Sequence, residues 1–289
     1  MQFNSLAFAI FLPIVFALYW MLPHKCRWIL LLISSYYFYM SWNPKYVVLI
    51  LFTTIASYVA ALLIEKYENR KTRKLILVTT LISCLGILFV FKYLNFAMNS
   101  IANLLGAFSI KISTPVLKLM LPVGISFYTF QTLSYVIDVY RGEIKAEKHF
   151  GMYATFISFF PQLVAGPIEK ASNLLPQLKE EKHFDYDLAV YGLRQMLWGF
   201  FKKVVVADTL AKYVDKVYLD VHAYKGMDLL LVILFFTVQI YCDFSGYSDI
   251  AIGTSRLMGI RLMTNFKSPY FSTSIKNFGD GGIFPYPNG

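Results

Sequence analysis

Residues 229–256 read LLLVILFFTVQIYCDFSGYSDIAIGTSR. The first fourteen are uncharged, and the run continues through Asp243, Asp249 and Arg256. Ionisable groups inside a membrane segment are costly and face a bundle interior or an aqueous cavity. On a helix, Gln239, Asp243 and Tyr247 share one face at i, i+4 and i+8, and Asp249, Gly253 and Arg256 share another at i, i+4 and i+7. The second face reads either as a structural Asp249–Arg256 ion pair, with hydroxyls bonding neighbouring helices, or as a polar site. The first face finds no cation in its own segment and reads as the lining of a polar cavity. Gln239, Asp243, Ser245, Tyr247 and Asp249 are therefore candidate substrate-channel residues.

The rest of the chain has the same character. Of 289 residues, 57% are hydrophobic, 18% aromatic and 15% charged, against about 25% charged in soluble domains. So few charges cannot cover a soluble surface. The composition also excludes a disordered chain, a collagen-like chain and a disulfide scaffold. The net charge of +10 suits cytoplasmic loops beside anionic lipid. No nucleic-acid motif accompanies it, so nucleic acid is not an expected partner. Cys26, Cys84 and Cys242 are isolated and give neither a disulfide nor a metal site.

A spanning helix needs about 20 predominantly apolar residues. Met1–Pro23 is uncharged and lacks the basic start and small-residue exit of a signal peptide, so it reads as a retained helix. Trp28–Pro44, Tyr46–Ile64, Leu75–Phe91 and Leu119–Ile137 are further spans, in a total of roughly six to eight. Lys25 and Arg27 lie in the first polar break, and Lys66, Arg70, Lys71, Arg73 and Lys74 in the third. Both breaks then face the cytoplasm, with the N-terminus outside. Lys92–Lys118 carries a stripe of Asn95, Asn99 and Asn103. It reads as an interfacial helix or as a span with a packed polar face.

Phe150–Ile168 is uncharged but broken by Pro161, Gly166 and Pro167. At membrane depth such a break survives only where protein or water satisfies the freed backbone groups. A helix followed by a re-entrant or bent segment is expected. Pro161, Gln162, Gly166 and Pro167 are further channel candidates, with a structural kink as the alternative. Ser126, Thr129 and Gln131 read as packing between helices. Glu169–Asp187 is the most polar stretch and belongs in the cytoplasm. Leu188–Leu210 sets Arg194, Lys202, Lys203 and Asp208 among apolar side chains. It reads as a surface helix whose basic groups meet lipid phosphate, or as a tilted span with snorkelling lysines. The expected fold is all-α: a polytopic transmembrane helical bundle with re-entrant or interfacial helices. His24, His149, His183 and His222 sit at segment edges. GxSxG, Walker, GxGxxG and HExxH motifs are absent.

Several stretches in order carry a resemblance. They are Ser34–Tyr46 (SSYYFYMSWNPKY), Leu121–Gly142 (LPVGISFYTFQTLSYVIDVYRG), Phe159–Ile168 (FFPQLVAGPI), Gln239–Gly253 (QIYCDFSGYSDIAIG) and Pro269–Phe278 (PYFSTSIKNF). Together they resemble the membrane-bound O-acyltransferase (MBOAT) family, in its alginate O-acetyltransferase-like branch. The resemblance implies a ring of helices around a funnel crossing the plasma (inner) membrane. It implies an acyl group taken on the cytoplasmic side and delivered to an extracellular hydroxyl, with a central histidine as general base. The acceptor is then an exported polysaccharide or cell-envelope polymer. The donor is acetyl-CoA or another acetyl carrier, with no resident cofactor. An extracytoplasmic acetyltransferase is an implied partner protein, beside the lipid bilayer.

The family continues after SIKNF with a stretch like WRRWHISLSxW, whereas residues 279–289 read GDGGIFPYPNG. Shifted by one base, codons for that tail can spell WRRWHISLSKW. Residues 1–278 are thus expected to be the N-terminal portion of an MBOAT-like membrane domain, and 279–289 an aberrant tail left by a frameshift. On that expectation both family histidines are absent, this chain holds no catalytic residue, and it is inactive by itself. The nucleotide sequence past the Phe278 codon tests this. Two other readings stand beside it. One is the D-alanyl transfer protein of teichoic acid modification. The other is a channel or transporter built on Asp243 and Asp249, whose two similar halves the sequence does not display.

Overall fold

The computed structural model describes residues 1–107, 121–164, 166–266, 270 and 272–274. The tail at 279–289 and most of Pro269–Phe278 lie outside these. Among the described residues there are twelve α-helices and no strand. They are α1 (Leu6–Met21), α2 (His24–Met40), α3 (Val47–Lys66), α4 (Arg70–Lys92), α5 (Leu94–Ala107), α6 (Ile125–Arg141), α7 (Phe150–Ser158), α8 (Phe160–Leu163), α9 (Ala171–Lys179), α10 (Tyr186–Phe200), α11 (Asp208–Leu219) and α12 (Met227–Leu257). A π-helical segment, Phe201–Ala207, joins α10 to α11 without a break.

Local chemistry sets the ends. The side chains of Ser5, Asn69, His149 and Asp185 accept the N–H of Phe8, Lys71, Met152 and Leu188 at 3.2, 2.9, 3.1 and 3.0 Å. Each satisfies a donor that a helix start leaves unpaired. Gly142 closes α6 with φ at +78°, a conformation that suits a residue without a side chain. The Leu119–Ile137 span begins later than expected, at Ile125. Pro122 and Gly124 form a turn there, and residues 119–120 lie outside the described set.

Among the described residues, three segments are long and apolar enough to cross a membrane: Pro44–Lys66, Arg70–Lys92 and Met227–Leu257. Leu6–Met21 is a shorter apolar helix. On α1, Leu6, Ile10, Ile14 and Leu18 are exposed along one stripe while Phe8, Phe11, Leu12, Val15 and Tyr19 are buried. A helix apolar on both its buried and its exposed sides suits contact with lipid. α5 has 14 residues, about 21 Å, which is short of the roughly 30 Å hydrocarbon core. α12 has 31, about 46 Å, so it outreaches that core.

The core gathers Phe38, Tyr128, Tyr135, Tyr153, Phe156, Phe159 and Phe160, all under 2% exposed. Thr53, Thr54 and Ser57 of α3 are fully buried. Their hydroxyls donate to carbonyls of their own helix, and Ser57 also meets the Tyr153 hydroxyl at 2.6 Å. The start of α2, the α3–α4 turn, the end of α6 and α9 come together at one end of the bundle. There His24 meets the Lys179 carbonyl at 2.9 Å, Arg27 donates to the Lys182 carbonyl at 2.6 Å, and Arg73 donates to the Tyr140 carbonyl at 2.8 Å.

Candidate functional site

α10 and its π segment lie antiparallel along α12, and two pairs of glycines set the distance. A Cβ on Gly192 would fall 2.8 Å from the Gly253 carbonyl oxygen, and one on Gly199 would fall 2.7 Å from that of Gly246. Both glycines of each helix are seven residues apart, two turns, so they lie on one face. Small residues let membrane helices approach backbone to backbone.

This approach brings the cations of one helix to the anions of the other. Lys203 Nζ is 2.7 Å from Asp243 Oδ1 and 2.8 Å from Asp208 Oδ1. It also sits 5.1 Å from the centre of the Tyr247 ring. Lys202 forms an ion pair with Asp249. Asp249 further accepts from the Gln195 amide at 2.8 Å, and the Gln195 carbonyl accepts from Arg256. Arg256 stacks 4.5 Å from the Tyr191 ring centre. The Lys202 and Lys203 side chains are 12% and 13% exposed. The π segment carries both lysines. Such segments are rare and recur at functional sites.

Two sequence expectations need correction. Lys202 and Lys203 neither snorkel nor meet lipid phosphate, because the glycine contacts turn them inward onto α12. Asp249 and Arg256 are not an ion pair. Gln195 stands between them, and Lys202 takes the carboxylate. The face of Gln239, Asp243 and Tyr247 does acquire a cation, Lys203, from 40 residues away. Among the described residues, Gln239 Oε1 and Ser248 Oγ are buried without a hydrogen-bond partner, and Ser245 is buried beside them. The chain's sequence contains a signal that reading missed: Gly192 and Gly199 have the same spacing as Gly246 and Gly253.

The second candidate stretch is a helix break. α7 stops at Ser158, and Phe160 N–H donates instead to Ser35 Oγ of α2 at 3.0 Å. The Phe156 carbonyl, freed of its helical partner, accepts from the side-chain amides of Gln131 at 3.0 Å and Gln162 at 2.8 Å. The protein interior thus supplies the partners that lipid cannot. Pro161, Gln162, Gly166 and Pro167 are all buried. Gly124, with φ at +75°, presses against this break: a Cβ there would lie 2.2 Å from the Leu163 carbonyl oxygen. Thr129 is fully buried beside Gln131, whereas Ser126 is half-buried.

After the break, Glu169 is fully buried. It accepts from the Asn173 amide at 2.7 Å and from the Met263 N–H. Burial raises its carboxyl above the usual range, with the two donors opposing that shift. Gln177 on α9 pins the same strand of chain, accepting from Arg261 N–H at 2.8 Å. The segment that follows α12 is therefore held against α9.

The histidines stay at the edges. His149 and His183 and His222 are exposed, and His24 is half-buried. Among the described residues no group of three or more His, Cys, Asp or Glu side chains could hold a metal ion.

Residues 148–279 match the family described as MBOAT, membrane-bound O-acyltransferase family. The chain is 37% identical over 280 residues to "Probable alginate O-acetylase AlgI" of Pseudomonas aeruginosa, covering 96% of this chain and 53% of that protein. It is 40% identical over 282 residues to the protein of that name in Pseudomonas syringae, covering 96% and 54%. It is 33% identical over 301 residues to a peptidoglycan O-acetyltransferase of Helicobacter pylori, covering 93% and 56%. The chain spans about half the length of these curated relatives. An all-α membrane bundle, the quoted motifs in order and these matches together place the chain in the membrane-bound O-acyltransferase family.

Proposed function

We propose that the enzyme carrying this chain transfers acetyl groups to hydroxyls of an exported polysaccharide, and that the α10–α12 contact forms one wall of its transfer path. The observation that carries the reading is the position of the charge network. The Lys203–Asp243 and Lys202–Asp249 pairs lie inside the stretch that matches the family, and they join two helices that glycines bring into backbone contact. The likeness to alginate O-acetylases supplies the acetyl group and the polymer.

In such a transfer the sugar hydroxyl attacks the acetyl carbonyl carbon. A new ester C–O bond forms, the bond to the carrier breaks, and the hydroxyl proton ends on the leaving group. Fixed lysine–aspartate pairs are suited to holding a polar wall through lipid, and neutral imidazole to taking the proton. We assign Lys202, Lys203, Asp243 and Asp249 to positioning. Pro161, Gln162, Gly166 and Pro167 then keep the bent α7–α8 segment in place beside α12.

The end of the bundle that carries Lys25, Arg27, Lys66, Arg70, Lys71, Arg73 and Lys74 faces the cytoplasm on the positive-inside rule. The N-terminal amine, which donates to Ser41 Oγ at the far end of α2, then lies outside.

The test is genetic. Deleting the gene should abolish O-acetyl esters on the exported polymer, and restoring it should return them. Polymer acetylation that survives deletion overturns the proposal. Loss of D-alanyl esters with acetyl esters intact would favour the teichoic acid reading.

A further inference from the structure

The α3–α4 turn and the end of α6 enclose an open groove of about 680 Å³ lined by Asn69, Arg70, Lys71, Lys74 and Tyr140. Residues 65–74 hold five cations against the two carboxylates Glu65 and Glu68. Glu65 is turned away, accepting the Ala146 N–H at 3.2 Å. Arg73 is engaged with Tyr140, its guanidinium 5.4 Å from the ring centre. Arg70, Lys71 and Lys74 enter no ion pair among the described residues, and Arg70, Lys71 and Lys74 are exposed. Their charge is therefore available to a ligand.

What adjoins the groove indicates the ligand. Along α4 from Leu75 onward, Leu75, Val78, Ile82, Leu85 and Phe89 are exposed at 64%, 38%, 66%, 42% and 47%. Their three- and four-residue spacing makes one apolar stripe about 21 Å long. A soluble phosphate or an acidic peptide would use the cations and leave the stripe bare. A molecule with a phosphate at one end and long hydrocarbon at the other uses both. We propose that this groove holds the headgroup phosphate of an anionic phospholipid, whose acyl chains lie along the exposed stripe of α4. The inference stands apart from the acetyl-transfer reading, since neither needs the other.

The full chain, reconstituted in nanodiscs of phosphatidylcholine with phosphatidylglycerol, then released into mild detergent, would be weighed by native mass spectrometry. The wild type should retain phosphatidylglycerol in preference to phosphatidylcholine. The Arg70→Gln, Lys71→Gln, Lys74→Gln triple variant should lose that preference by about tenfold, since each basic group near a headgroup adds to the attraction. Should the triple variant unfold, Lys74→Gln alone should show a smaller loss in the same direction. Lys71→Arg with Lys74→Arg should keep the preference, and Lys212→Gln with Lys216→Gln on α11 should leave it unchanged. Equal retention of the two lipids by the wild type overturns the proposal, as does an undiminished preference in the glutamine variants. An equal loss in the α11 variant would show general surface attraction and also overturn it. So would displacement of the lipid by inorganic phosphate alone.

Discussion

Gly199 of α10 and Gly246 of α12 meet backbone to backbone, so that a Cβ on either would stand 2.7 or 2.9 Å from the other's carbonyl oxygen. Gly246 also leaves room for the lysine turn: a Cβ there would be 3.1 Å from Lys203 N. The charge network depends on that clearance.

A branched side chain at this contact should separate the helices. Gly199→Val is expected to lower stability by about 1–3 kcal/mol, the usual range for overpacking. Thermal unfolding in detergent would measure it. Gly86, which has nothing within 4 Å of an added Cβ, is the control: Gly86→Val should change little.

Lys202 and Asp249 should prove coupled. Both side chains are mostly buried. Removing one partner of such a pair strands the other, at a cost of about 3–5 kcal/mol when fully buried and less here. Lys202→Met, Asp249→Asn and the double variant form a cycle whose interaction energy is expected near 1–3 kcal/mol. Additive single effects would mean that the pair contributes nothing.

The helix break should resist loss of one amide better than two. Gln131 and Gln162 both donate to the Phe156 carbonyl. Gln131→Leu or Gln162→Leu should each cost about 1 kcal/mol, because the remaining donor keeps the carbonyl satisfied. The double variant should cost more than the sum, which unfolding midpoints of the three proteins would reveal.

Glu169 gives a pH dependence. Its folded-state carboxyl titrates above the ordinary glutamate value because it is buried. A raised value means that its contribution is fully present below the unfolded value and is lost as pH climbs through the folded one. Stability should therefore fall from acid towards neutral pH by this group's share. Glu169→Gln should flatten that part of the curve. A variant whose melting temperature follows pH as steeply as the wild type between pH 4 and 8 would contradict the assignment.

Much of this architecture is written locally. The uncharged runs at Met1–Pro23, Trp28–Pro44, Tyr46–Ile64 and Leu75–Phe91 correspond to α1 through α4, because apolar length and flanking caps are properties of neighbouring residues. Pro161 likewise announces the break between α7 and α8. The partners of Asp243 were not legible. Arg256, near in sequence, looked like the cation for Asp249, yet helix geometry delivers Gln195 and Lys202 instead.

The amino-acid order alone determined that this chain is a bundle of lipid-embedded helices with a few costly polar groups, because hydropathy and helical period need no knowledge of what lies across the fold. Which lysine neutralises which aspartate, and which amide closes the gap at Phe156, only the tertiary structure decided. The Gln131–Phe156, Lys203–Asp243 and Lys202–Asp249 pairings join residues 25, 40 and 47 positions apart, and the choice of lysine rests on how closely glycines allow two backbones to pack.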